Sequence, residues 1–502
     1  MNRYKKANEG IHVPEEVKKR AARPGGTRSN IRWMGAAAAV LVLAVIGGAA
    51  LRLGVGMPDD IPDESAEPMA LINNDVPEDI EGPGNTGRGR SAGLPPDAQP
   101  FVLAEAFPAD GSEAKFDGDL NGFLSRSAVQ LFSQAGEDNL VYSPLNIYMA
   151  LAMLAESADG ESRQQIVDLL GADSMEALRE DAAALWQTYY LEDELGISAM
   201  AGSLWLRDGV SYNQETLDTL AEVYHASAFS GKMGTEEYNQ ALRSWINAMT
   251  GGELARQAEG LSFDPDTVLG LVSTLYFKGS WSDPFDPGQN TQGVFHAPSG
   301  DVEAEYMNRE EVHGTYFRGE HFGAVPLGFQ VWEYSMWLIL PDDGYTVDDL
   351  MASGEAMEFI TARKYEGYNV QAEEAIPGWP DQEYLRINLS LPKFDVSSDL
   401  DLSGALKALG VTDVFDRDAS DFTPLGVETD GPVYLSQAQH AARVTIDEEG
   451  CTAASYVDLM LVGDALPPDE VVDFTLDRPF LFAITGEGNL PLFVGVVKQP
   501  NG

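Results

Sequence analysis

The residues of greatest chemical potential in this chain lie near its C-terminus. Cys451 is the one cysteine among 502 residues, and His440 precedes it by eleven positions. A thiol and an imidazole can make a nucleophilic pair. Here Glu448 and Glu449 stand just ahead of the thiol, and two carboxylates raise its pKa and suppress the reactive thiolate. No G-x-S-x-G turn or cysteine-protease signature accompanies the pair, so the spacing argues against an enzyme. One cysteine excludes an internal disulfide and every multi-cysteine zinc motif. The six histidines (His12, His225, His296, His313, His321, His440) form neither an i, i+4 pair nor an HExxH helix, so no metal centre and no cofactor is expected. What the segment does show is alternation. Cys451, Ala453, Ser455, Val457, Leu459 and Leu461 are small or apolar, while Thr452, Ala454, Tyr456, Asp458 and Met460 carry the bulk and the only charge before Gly463. Such parity fits a segment able to become a strand with one face against a core.

A large scaffold must position that segment. Apolar residues make up 44% and aromatics 9%, enough for a sizeable core, which excludes wholesale disorder. With 80 acidic against 32 basic side chains the net charge is −48, and such a surface repels nucleic acid, which is excluded as a partner. The charge is unevenly placed. Residues 1–32 carry nine Lys/Arg against three Glu, a net +6 that leaves −54 on the remainder. Trp33 to Leu51 then runs nineteen residues without a charge, about the length that spans a bilayer core. The positive-inside rule keeps the basic tail cytoplasmic and exports the rest, so a single-pass membrane anchor is expected, with a secreted chain as the outcome if it is cleaved. Residues 52–100 read as an acidic, Pro-rich linker, with eight prolines and ten acids between Met57 and Pro100. Residues 101–502 form the globular part. Helical periodicity marks Asp119–Ala135, Pro144–Glu156, Ser162–Leu170 and Asn213–His225; strand patterns mark Val268–Phe277, Val331–Leu340, Leu385–Leu391, Val433–Ile446, Phe480–Thr485 and Leu492–Val497. Helices lead and strands follow, which predicts an α+β fold.

Blocks of sequence then carry a resemblance. NLVYSPLNIYMALAMLAESADGESRQQIVDLLG (Asn139–Gly171), STLYFKGSWSDPF (Ser273–Phe285), LSLPKFDVSSDLDLSGALKALGVTDVFDRDASDFTPL (Leu389–Leu425), HAARVTIDEEG (His440–Gly450) and RPFLFAITGEGNLPLFVGVVKQP (Arg478–Pro500) follow one another in the order of the serpin family. The chain resembles a serpin, of a bacterial, membrane-anchored type. The resemblance implies one large α+β domain, helices packed on a five-stranded main sheet with further sheets, and an exposed reactive loop. It also implies a monomeric inhibitor that baits a serine or cysteine protease, is cleaved, and traps the protease covalently as the loop inserts into the sheet. A non-inhibitory member, acting as a binding or scaffold protein, is the alternative.

Residue by residue, the resemblance places the loop hinge at Glu448, Glu449, Gly450, Cys451, Thr452, Ala453, Ala454 and Ser455. Inhibitory members carry Thr or Ser where Cys451 stands, and very small residues where Tyr456 stands. Counting from Gly450 puts the cleaved bond between Asp464 and Ala465; counting back from FTLDRPF puts it one residue later. An Asp before the bond calls for a protease with a basic pocket, whereas Ala suits an elastase-like one. A polar cluster beneath the sheet is expected at Ser143, Asn146, Ser273 and His440, with an ordinary buried histidine as the plainer reading of His440. Trp281 and Lys393 are expected to support the top of the loop, Lys393 by pairing with Glu448.

Overall fold

The computed structural model describes residues 69–72, 119–133, 136–192, 196–331, 334–361, 381–426, 433–435, 438–451 and 470–500. The expected tail (1–32) and membrane span (33–51) lie outside these residues, and among those described no helix is long and apolar enough to cross a membrane.

Elements begin with β1 (Met69–Ile72) and α1 (Leu120–Phe132), the latter capped by the Asp119 carboxylate, which accepts from the Gly122 N–H. After β2 (Leu140–Tyr142), Ser143 caps α2 (Pro144–Ser157): its Oγ accepts from the Asn146 N–H, and Pro144 occupies the first turn, where it forfeits no hydrogen bond. Almost every residue of α2 is buried, so it is the central helix. Then come α3 (Gly160–Leu170), α4 (Met175–Tyr189), β3 (Leu191–Glu192), β4 (Gly196–Arg207), α5 (Gln214–Tyr224), β5 (Ser227–Gly231), α6 (Glu236–Met249), α7 (Ala255–Glu259) and β6 (Leu269–Ser280). The second half holds β7 (Thr291–Ala297), β8 (Gly300–Arg318), β9 (Phe322–Gly328), β10 (Ser335–Pro341), α8 (Val347–Ser353), α9 (Glu355–Thr361), β11 (Asp381–Pro392), β12 (Phe394–Asp401), α10 (Ser403–Ala408), β13 (Gln439–Ile446), β14 (Gly450–Cys451), β15 (Val471–Thr475), β16 (Phe480–Thr485) and β17 (Pro491–Val497).

Two sheets result. The first has the order β1-β5-β4-β6-β14-β13-β12, with β3 on β4; its five long members are β5, β4, β6, β13 and β12, the number that the family resemblance implied. The second has the order β15-β11-β8-β9-β10-β16-β17-β2, with β7 on β8. The main core lies between the sheets and the helices around α2. A smaller cluster lies under α6, where Tyr238, Leu242 and Trp245 pack on Trp205 and Phe229 of the first sheet, with Val272 of β6 and Ala441 of β13 at its margin. Helix α6 packs on β6, and Ala441 of β13 borders the same cluster.

The structure corrects two expectations. Met69–Ile72 falls inside the stretch read as a linker, yet it pairs with β5 (Met69↔Ser230, Ala70↔Phe229, Ile72↔Ala228). The reason is local: Met-Ala-Leu-Ile is an uninterrupted apolar run among acids and prolines, and a sheet edge offers its backbone partners. The strand expected over Val433–Ile446 starts only at Gln439.

Glu156 of α2 is buried, and its carboxylate is held bidentate by Arg179 of α4 (Nε–Oε2 2.7 Å, Nη2–Oε1 2.6 Å). Removing one partner strands a charge away from water. Arg179→Met should cost about 2–3 kcal/mol, below the fully buried case because the guanidinium is half exposed. Urea unfolding of Arg179→Met beside the double variant Arg179→Met/Glu156→Met checks it: the double variant should recover most of the loss.

Candidate functional site

Strand β13 ends at Ile446 and the chain reverses at once. Asp447 Oδ1 accepts from the N–H groups of Glu449 (2.9 Å) and Gly450 (3.2 Å), and the Asp447 N–H donates to the Gly450 carbonyl (3.0 Å). Aspartate suits such a turn because its short side chain bonds backbone two residues on. The turn brings Cys451 opposite Ile446 and sends the chain back alongside β13. On its other side the same pair of residues meets β6, Gly450 opposite Ser280 and Cys451 opposite Gly279. Among the described residues no ladder joins β6 to β13 directly, so β14 stands between them, antiparallel to both.

Gly450 makes that entry sterically feasible. Its φ is +150°, and a Cβ there would sit 2.3 Å from the Gly279 carbonyl oxygen and 2.8 Å from the Ser280 Cα, backbone atoms that cannot move aside. Trp281, fully buried at the end of β6, fixes the turn from above: its N–H donates to the Glu449 carbonyl (2.9 Å) and its Nε1 to the Asp447 carbonyl (3.0 Å). The indole stacks on Phe329 at 4.7 Å.

Lys393, between β11 and β12, completes the support. Its Nζ lies 2.8 Å from Glu448 Oε1 and 3.0 Å from Glu305 Oε1, and Asn290 Nδ2 donates to the same two oxygens. Burial pushes the Glu448 carboxyl up, but the bonds from Lys393 and Asn290 outweigh it and leave it below the usual carboxylate range. The Lys393 bond, then that of Asn290, holds the Glu305 carboxyl down as well. Burial works to lower the Lys393 ammonium, and its two carboxylate partners more than offset this.

Just beneath Cys451 is a small cavity of about 20 Å³, lined among others by Leu275, Phe277, Thr250 and Arg443. Arg443 of β13 grips Asp395 of β12 with two bonds of 2.8 Å, and Glu253, just beyond α6, with one of 2.8 Å. The cover over the parted sheet is thus tied to β13. Burial pushes the Cys451 thiol up to about 12, and along β13 its opposite residue Ile446 lies six positions, roughly 20 Å, from His440. No Cys–His nucleophilic pair exists here.

The expected polar cluster is only partly assembled. His440 is buried, and its Nε2 accepts from the Ser143 N–H (2.9 Å), which puts the ring proton on Nδ1. Ser143 Oγ in turn caps the Asn146 N–H, whereas Asn146 Nδ2 has no hydrogen-bond partner among the described residues. Ser273 lies on β6 opposite Gly202 and shows no bond to the other three. Thr452, Ala453, Ala454, Ser455, Asp464 and Ala465 lie outside the described residues. Sequence reasoning overlooked Asp447, Asn290, Glu305, Arg443 and Glu253. Only Asp447 had a local signal, as the first residue of an Asp-Glu-Glu-Gly turn.

Comparison with known proteins agrees with this geometry. The family described as Serpin (serine protease inhibitor) matches residues 120–500. Alpha-1-antiproteinase of Rattus norvegicus is 30% identical over 420 residues, covering 80% of this chain and 95% of that protein. Putative serpin-Z6C of Oryza sativa is 28% identical over 417 residues, covering 75% and 94%. The native-state crystal structure of the thermophilic serpin tengpin is similar with a TM-score of 0.65 and 25% identity, covering 77% of this chain and 96% of that one. With its sequence blocks in order, its parted main sheet and a match over most of its length, the chain belongs to the serpin (serine protease inhibitor) family.

Proposed function

We propose that this chain is a suicide-substrate inhibitor of extracellular serine proteases, displayed at the cell surface on the apolar segment Trp33 to Leu51. As a serpin it is a protease inhibitor and not an enzyme. The observation that carries the trapping mechanism is the placement of Gly450–Cys451 between β6 and β13. Those two residues occupy the first positions of the strand that the loop would become. Cys451 is buried there, in keeping with the parity that assigns it, Ala453, Ser455, Val457, Leu459 and Leu461 to the inner face. A protease attacking at Asp464–Ala465 would form an acyl bond to Asp464. About thirteen residues beyond Cys451, at roughly 3.3 Å each, would carry it some 40 Å along the sheet before deacylation. The protease partner would be elastase-like or Asp-specific, met by a monomeric inhibitor; relatives named antiproteinases support the class.

Ala453→Arg should end trapping, because a guanidinium driven into the sheet interior has no partner. A panel of serine proteases, read for SDS-resistant complex, should show complex with the native chain and only cleavage with the variant. Unchanged complex and stoichiometry would reject insertion.

The joint beneath the sheet gives a pH signature. Burial depresses the His440 imidazole from 6.5 to about 4, so the folded chain keeps it neutral while the unfolded chain protonates it near 6.5. Its contribution is therefore complete above pH 6.5 and drains away as pH falls towards 4, by up to roughly 3 kcal/mol. Urea midpoints across that window should fall more steeply for the native chain than for His440→Gln.

Anchoring rests on sequence: nine basic residues precede Trp33 and an acidic stretch follows Met57. Protease added to intact cells should cut near Asp464 and spare the Lys18–Arg23 tail. Full protection of the loop would sink the surface location, and complete release of a chain starting after Leu51 would make it a secreted inhibitor.

A further inference from the structure

Three side chains from two segments converge at the β8–β9 turn. The four-residue turn between β8 and β9, closed by the Gly319 N–H to the Phe322 carbonyl (2.8 Å), carries Glu320 and His321. Glu355 opens α9, thirty-four residues on. One ligand atom from each of the three lies within 4.8 Å of the other two.

The His321–Glu355 contact is a long ion pair, and its length also suits two ligands of one ion. His321 Nδ1 stands 3.3 Å from Glu355 Oε1. A charge-assisted hydrogen bond closes to about 2.7–2.9 Å. Ion pairs in this chain span a wider range: His296 Nδ1 and Asp301 Oδ1 sit at 2.8 Å, Arg318 Nη2 and Glu383 Oε2 at 3.3 Å. Two ligands of a tetrahedral zinc, each about 2.0–2.1 Å from the metal, stand roughly 3.3–3.4 Å apart, so the group could close on an ion with little movement. A second carboxylate, Glu320, shares the site, and one imidazolium would leave its charge unbalanced.

The surroundings hold the ring and Glu355 in place. The His321 imidazole lies against the Tyr345 ring at 4.0 Å, the His321 carbonyl accepts from the Asp342 N–H (2.9 Å), and Ser353 Oγ donates to Glu355 Oε1 (3.1 Å). His321 and Glu355 are half-buried while Glu320 faces solvent, which leaves a side open for water as a further ligand. An imidazole with two carboxylates selects a transition metal over calcium or magnesium, which prefer oxygen alone. We propose that Glu320, His321 and Glu355 bind a divalent cation of the zinc class, tying the β8–β9 turn to the start of α9. The site escapes motif reading because its ligands come from distant positions and share no helix.

The test uses the full chain in detergent, stripped with a chelator and titrated with zinc by calorimetry, and with cobalt by absorbance. The native chain should take up a zinc equivalent that His321→Ala and Glu355→Gln each weaken by about 100-fold or more, with loss of the tetrahedral cobalt bands, whereas His296→Ala should bind as the native chain does. Circular dichroism establishes that each variant is folded, and Glu355→Gln, a near-isosteric change, serves if His321→Ala is not. No uptake by the native chain, or equal affinity and stoichiometry in Glu355→Gln, would overturn the site.

Discussion

Backbone hydrogen bonding is the constraint on which the rest of this molecule depends. Two long strands, β6 and β13, face each other across a separation that neither closes by a direct ladder. Each carries N–H and C=O groups whose burial without partners is costly. At the upper end the demand is met by Gly450 and Cys451, which bond to one neighbour on each side. Under the proposed mechanism Gly450 and Cys451 would be the start of the strand that the loop adds.

The contacts around the hinge set where the chain reverses and hold it there. Trp281 and Asp447 fix where the chain reverses, and Gly450 admits no side chain against the β6 backbone. The Lys393 ammonium gathers Glu448 and Glu305 in a protein whose acids far outnumber its bases, so one cation neutralises two carboxylates drawn from the hinge and from β8. Arg443 does the comparable task on the other face, joining β13 to β12 and to the segment after α6. Helix α6 packs on β6, and Arg443 ties β13 to Glu253 just beyond that helix, so both strands are linked to the same cover.

Much of this was legible in the sequence where the signal is local. The Ser143-Pro144 pair announces α2, and Lys393 with Glu448 follows from the resemblance, whereas the alternation after Cys451 falls outside the described residues. Two elements were visible and passed over. Tyr238, Leu242, Trp245, Ile246 and Met249 repeat at helical spacing behind the Thr235 cap of α6, and Asp301, Glu303 and Glu305 alternate with Val302, Ala304 and Tyr306 at the start of β8. Asn290, Glu253 and the Glu320–His321–Glu355 group could not be found that way. Their meaning comes from contacts across tens to hundreds of residues, and each alone is an unremarked polar side chain. Ser273 shows the converse: a position matched by family pattern makes no hydrogen bond to its expected partners among the described residues.

The burial of Cys451 also makes the chain its own reporter. As the sole thiol it has no background, and with its pKa pushed to about 12 inside the sheet it holds little thiolate. Burial and the suppressed thiolate slow alkylation while β14 is paired, so any withdrawal of the hinge would be read as faster labelling. Where withdrawal is slow beside labelling the added rate would be the opening rate itself, and where it is fast the added rate would follow the equilibrium between the two hinge positions, a clock and a balance in a single sulfur atom.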